Sequence, residues 1–306
     1  MLKLIRQRLL DFVPVLLATS VVVFGLLYLL PGDPATAMIQ GSGAPADLVE
    51  QLRTQLGLDQ PVYVQYWRFL SQALAGDLGQ SLSARRPVVA MLAEAAPSTF
   101  QLALAAMLLA LVIGVPLGVL AAARRDTWVD RLAMLAALAG VSMPQFWLAL
   151  LLLFLFSFRL GWVPATGAGG LSRLALPALV LGYGAASALS RMVRSAMLEV
   201  LGQDYVRAAR GKGVAEVGVV ARHAFRNALI PVITVVSLQL GWLLGGAVVV
   251  ETVFSRPGLG RLLVQAITAN DFPVVQGLIL LVTLTYLVLN LLTDILYGVL
   301  DPRIRQ

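Results

Sequence analysis

The sequence predicts an all-α integral membrane protein of six transmembrane helices, with both termini on the cytoplasmic side. Three observations carry that expectation. The 306 residues are 59% hydrophobic and only 13% charged, with a mean hydropathy of +0.85, against about 45–50% apolar and about 25% charged in a soluble domain. Six stretches are apolar over much or all of the roughly 20 residues that cross a hydrocarbon core. The formal charge of +7 collects on one side of the resulting topology.

The first span, 12–30, follows Lys3, Arg6 and Arg8 and precedes Ala35-Thr36-Ala37, which together resemble a signal peptide and its cleavage site. Its 19 uncharged residues exceed the roughly 7–15 of a signal core, so it is read as an uncleaved anchor. Residues 31–97 form an external region and, with span one, a first segment 1–97. Pro31-Gly32-Asp33-Pro34 stops the helix. Amphipathic runs at 48–56 and 63–74, the latter with Tyr66, Trp67 and Phe69, suit either the membrane interface or packing on the bundle. A small cap with no ligand is the simpler reading.

The remaining 98–306 hold a five-helix core. Spans two and three, 100–123 and 132–158, carry no charge, although Ser142, Pro144 and Gln145 interrupt the third. Span four, 174–190, is short and runs on through Arg191 and Arg194, whose long stems are expected to snorkel to the interface. Spans five and six are 227–250 and 272–293. With cytoplasmic termini, the inside segments hold 15 of the 23 basic residues and the 16 acidic residues divide evenly. The whole excess then belongs to the cytoplasmic face, as the positive-inside rule requires, and no nucleic-acid partner is needed to explain it.

The longest cytoplasmic segment, 191–226, contains Arg207, Ala208, Ala209, Arg210, Gly211, Lys212 and Gly213. Ala208 and Ala209 are small enough to press into another protein's groove, and the glycines permit a turn. Val217, Val220, Ala221, Ala224, Phe225, Ala228 and Leu229 then recur at helical spacing. A short helix, a glycine turn and a second amphipathic helix thus lead into span five, with Pro231 about a turn inside it. That arrangement suits transmitting force from a cytoplasmic partner. A basic loop held by anionic lipid headgroups is the alternative reading.

Ala208-Ala209, Gly213 and Leu229-Ile230-Pro231 resemble the EAA loop of ATP-binding-cassette (ABC) importer permeases, with Arg207 where that pattern has glutamate. An ordered series along the chain is similar to the B-type subunit of the peptide branch. It runs through Pro31 to Pro34, Leu56 to Asp59, Gly76 to Ser81 and Pro97-Ser98-Thr99. It continues through Ser195 to Val200, Phe254 to Arg261, Leu296-Tyr297 and Asp301 to Arg305. The resemblance is to dipeptide, oligopeptide, glutathione and nickel permeases. It implies a type I ABC importer permease fold in the cell inner membrane. It also implies a second homologous permease, two cytoplasmic ABC ATPases that receive the loop Arg207 to Gly213, and an extracytoplasmic substrate-binding protein.

No cysteine is present, and His223 is the lone histidine, so no Cys/His metal site is expected. The sequence has no phosphate-binding G-x-x-x-x-G-K-[ST]. This chain is therefore expected to bind no cofactor and to be non-catalytic, with ATP and magnesium on the partner ATPases. A stand-alone secondary transporter usually places ionisable groups at mid-membrane, but here only Asp294, near the cytoplasmic end of span six, comes close. A membrane scaffold or sensor is a further rival. Ser142, Pro144, Gln145, Gln239 and Asn290 are candidates to line a translocation path, with helix–helix hydrogen bonding as their other use. Their neutrality suits a peptide, the absence of His and Cys from the spans disfavours nickel, and the short loop between spans three and four leaves glutathione open.

Overall fold

The computed structural model describes residues 2–29, 54, 59–167 and 169–300. The expected features at 31–34, 48–53, 55–58 and 301–305 lie outside the described residues, and so do the side chains of Pro231, Leu296 and Tyr297. Among the described residues the elements are helical apart from one isolated bridge between Gln80 and Pro87. In chain order they are α1 (Leu2–Leu29), α2 (Val62–Leu74), α3 (Val88–Ala123), α4 (Trp128–Ser142) and α5 (Gln145–Leu152), the last continued in wide π-type turns over Leu153–Arg159. Then come α6 (Gly170–Leu201), α7 (Asp204–Gly211), a single turn at Glu216–Gly218 and π-type turns over Val219–Ala224. Helices α8 (Phe225–Val253), α9 (Leu259–Thr268) and α10 (Phe272–Leu300) complete the order.

Helices α1, α3, α6, α8 and α10 are each long and apolar enough to cross a membrane. Span three, expected over 132–158 with an interruption at Ser142, Pro144 and Gln145, is a bent pair of helices rather than one helix. Helices α4 and α5 meet at a 104° bend. Met143, the residue before Pro144, is extended with ψ 124, because a proline ring excludes its predecessor from the helical region. Helix α3 is also longer than expected, since it begins at Val88 and carries Pro97 inside it. Proline ends helices in water, but membrane helices tolerate it where neighbouring groups satisfy the freed carbonyl.

The chain divides into two compact units. In the first, residues 1–97 with 261–291, α2 packs on α1. The Tyr66 hydroxyl lies 2.9 Å from Ser20 Oγ, and the Tyr66 and Phe69 rings lie 5.5 and 5.8 Å from that of Phe24. Gln276 of α10 donates from Nε2 to the Val23 carbonyl of α1 at 3.3 Å.

The second unit, 98–260 with 292–306, is built around α6. The apolar window of α6 is 67% buried, against 17% for α1. Small residues make this possible. A Cβ on Gly114 or Gly118 of α3 would lie 2.7 or 2.5 Å from the Ala186 or Ser190 carbonyl of α6, and one on Gly182 would lie 2.8 Å from that of Ala106. The backbones therefore touch, as small-residue seams allow where lipid supplies no hydrophobic drive for helix association. Leu102, Leu181 and Leu243 fill the core on one side of this seam, and Leu189, Val193 and Met197 fill it on the other.

Candidate coupling loop and membrane cavity

Helix α7 opens with Asp204, which favours the positive end of a helix dipole. It closes at Lys212, and Gly213 follows with φ +80, a left-handed conformation that side chains resist. Arg207, Ala208, Arg210, Gly211, Lys212 and Gly213 are exposed, whereas Val206 and Ala209 are buried. The alanine pair therefore divides. Ala208 is free to meet a partner, while Ala209 holds α7 against its own chain, which corrects the expectation that both present outward. Arg210 grips Glu216 across the turn with two bonds of 3.0 and 2.7 Å. The Arg210 hydrogen bond holds the Glu216 carboxyl below its ordinary range, though exposure screens the pair's contribution to stability. Arg207 lies 3.4 Å from Asp204 and donates to the Gly202 carbonyl at 3.2 Å.

The apolar stripe beyond the turn is also corrected. Val217 is 81% exposed, and the buried positions are Val219, Ala224, Ala228 and Val232. The first step is five residues and the next two are four. The π-type turns over Val219–Ala224 insert one residue and so shift the inward face relative to a regular helix. Helix α7 is tied to this stretch where Asn227 Nδ2 donates to the Tyr205 hydroxyl at 2.6 Å.

Arg194 does not snorkel as expected. Its Nε and Nη2 donate to both oxygens of Asp130 at 2.6 and 2.7 Å, and the Asp130 carboxylate is almost wholly buried. This bidentate pair joins α4 to α6, and the Asp126 amide adds a third bond to Asp130 at 3.0 Å.

Two signature segments meet at the other end of this unit. Helix α8 runs three residues past its expected apolar stretch, through Glu251, which is fully buried. Thr99 donates to Glu251 at 2.6 Å and receives the Leu259 amide at 2.8 Å, while the Gly260 amide reaches Glu251 at 2.8 Å. A Cβ on Gly258 would fall 2.2 Å from the same carboxylate. Arg256, also buried, reaches the Ser98 carbonyl only at 3.4 Å, and its Nη1 has no hydrogen-bond partner.

In the first unit Asp271 plays a similar part. It accepts from the Ser81 and Ser83 hydroxyls at 2.5 and 2.7 Å and from the Leu82 and Ser83 amides at 3.2 and 3.1 Å. Burial pushes its pKa up, but these four donors together outweigh burial and bring it below its ordinary value.

The second unit also holds a cavity of about 390 Å³ where α4, α5, α6 and α8 converge at the bend. Gln145 and Gln239 line it with Met143, Gly184, Leu238 and Trp242. Of the expected path residues, the structure brings these two glutamines together. Gln145 Nε2 is buried without a hydrogen-bond partner. Ser142 and Pro144 line a shallower depression beside Phe146 and Trp147, and Asn290 belongs to the first unit. Among the described residues no cluster of three or more His, Cys, Asp or Glu could hold a metal.

Glu251, Asp271 and the Asp130–Arg194 pair are the residues sequence reasoning missed. The only signal for them was an acidic residue at the edge of an apolar run.

Two family models match the chain. Residues 114–306 match the binding-protein-dependent transport system inner membrane component, and residues 1–103 match the N-terminal region of such membrane components. The glutathione transport system permease protein GsiC of Escherichia coli is 46% identical over 305 residues, covering 100% of this chain and 99% of that protein. The protein of that name from Salmonella paratyphi A shows the same identity and coverage. An inward-facing methionine ABC transporter superimposes with a TM-score of 0.60 at 21% identity, over 69% of this chain and 96% of that one. That likeness shows the fold.

Proposed function

This chain belongs to the family of binding-protein-dependent transport system inner membrane components, and we propose that it is one half of the pore of an ABC importer that moves glutathione or other short peptides inward across the inner membrane. The identity of 46% along essentially the whole length of proteins named as glutathione permeases carries the substrate reading. It supports a tripeptide-sized cargo ahead of longer oligopeptides. The uncharged cavity at the α4–α5 bend adds support, because Gln145 and Gln239 offer both donors and acceptors to amide groups.

In this reading the other half of the pore is a second, homologous permease. Two ABC ATPases bind and hydrolyse ATP with magnesium, and an extracytoplasmic binding protein delivers the cargo. The exposed residues Arg207, Ala208, Gly211, Lys212 and Gly213 dock on an ATPase. The Arg210–Glu216 clasp and the Asn227–Tyr205 bond hand its movement to α8, which is continuous with the cavity wall at Gln239 and Trp242. Closure of the ATPases rotates these helices and changes the side to which the cavity opens.

Reconstituting the full complex in vesicles tests this. ATP-dependent uptake of labelled glutathione, competed by small peptides and lost without the ATPases, is the expected result. Uptake by this chain alone on an ion gradient would sink the importer reading. ATP-driven uptake of an unrelated cargo would overturn only the substrate.

A further inference from the structure

We infer that α2 is embedded in the outer leaflet, with its free face covered by lipid acyl chains rather than by water or a second protein. Contacts within the first unit set the depth of α2. Asp271 and the serines and amides it binds mark a polar layer at the outer start of α10. Gln276 lies five residues further along, about 7 Å deeper at 1.5 Å per residue, and bonds the Val23 carbonyl of α1. Ser20, which bonds Tyr66 of α2, is three residues deeper again, about 4–5 Å. The contact between α1 and α2 therefore sits roughly 12 Å below the polar layer, within a half-bilayer hydrocarbon thickness of about 15 Å.

The chemistry of α2 agrees with that depth. Its 13 residues span about 20 Å, too short to cross a membrane. Tyr66 and Phe69 face α1, and the opposite side presents Tyr63, Trp67 and Leu74, which are 75%, 69% and 81% exposed. These three recur at steps of four and seven, one face of a helix. Arg68 is the only charged residue in the helix, and its stem is long enough to carry the guanidinium up to the headgroups. A free face rich in tyrosine, tryptophan and leucine, with no acidic group, suits acyl chains under a headgroup layer.

The absence of cysteine from the chain makes the test direct. Spin labels are placed on Tyr63→Cys, Trp67→Cys and Leu74→Cys in the assembled transporter in vesicles, with Ala84→Cys as the control, since Ala84 is exposed beside the polar layer, its amide bonded to Ser81. Each variant is first checked for retained ATP hydrolysis. Collision with dissolved oxygen should exceed collision with a water-soluble nickel chelate several-fold at 63, 67 and 74, and the order should reverse at 84. Chelate collisions dominating at the three sites would mean that the face meets water. Exclusion of both reagents would mean that a protein covers it. Either result overturns the inference.

Discussion

Replacing Arg194 with leucine should destabilise the protein far more than its position near a membrane interface suggests. A snorkelling arginine contributes little, but here the guanidinium is the bidentate partner of an almost fully buried carboxylate. Removing one member of a buried pair typically costs about 3–5 kcal/mol. The Asp126 amide still donates to Asp130 and the arginine is about a quarter exposed, so the lower end applies, about 3 kcal/mol. At about 2–4 °C per kcal/mol for a large domain, the expected fall in Tm is about 6–12 °C. Differential scanning fluorimetry on purified protein reads this directly. The double variant Asp130→Leu with Arg194→Leu leaves no orphaned charge and should recover to within about 1 kcal/mol of the parent. A single variant that melts with the parent would show that Arg194 reaches the headgroups after all. A double variant as unstable as the single would show that the loss comes from packing.

Gly213→Val places a β-branched residue at φ +80, a strain of about 1–2 kcal/mol localised in the loop. Membrane insertion should be normal while co-purification of the ATPases and substrate-stimulated ATP hydrolysis fall, and normal coupling would refute the docking assignment. Gly260→Ala would drive a Cβ to 2.4 Å from the Val248 Cα; overpacking of about 1–3 kcal/mol should lower Tm and leave the cytoplasmic loop unaffected by hydrogen exchange. Asp271 has a depressed pKa in the folded state. Its contribution is therefore complete above the unfolded value of about 3.9 and lost as pH falls through the folded value. Amide protection at Leu82 and Ser83, corrected for intrinsic rates, should stay flat from neutral pH to about 5 and fall only in stronger acid. Asp271→Asn should weaken protection at neutral pH.

Most of the bilayer architecture was legible because lipid imposes one simple demand, a long run without charge. Where that demand has local exceptions, sequence reading slipped. Pro97 and Pro144 look alike in a sequence, yet α3 passes through the first while the chain turns 104° at the second. The segment Ser142–Gln145 was legible as an interruption, but its angle depends on packing against α6 and α8. The coupling segment was legible as helix, turn and helix. The burial of Ala209 and the shifted stripe at Val219 were not, since an inserted residue in a helical turn leaves no compositional trace. The polar ties were the least visible. Thr99 and Glu251 are 152 residues apart and Asp130 and Arg194 are 64 apart, and no local pattern marks either pair.

The wide turns over Val219–Ala224 bear on how this transporter tolerates change. One extra residue in a helix is an offset of about 100° in phase. The direction in which Arg207 and Lys212 point relative to Gln239 is therefore set by residue count, as teeth are counted on a gear. Substitutions within Val219–Ala224 leave that count intact. Deleting a single residue there would let the segment relax into a regular helix and turn every position before it by about 100°. Val217 would swing from its exposed place, and the exposed face of α7 at Arg207 and Lys212 would be re-aimed with neither residue altered. In this stretch length constrains the chain more tightly than chemistry does.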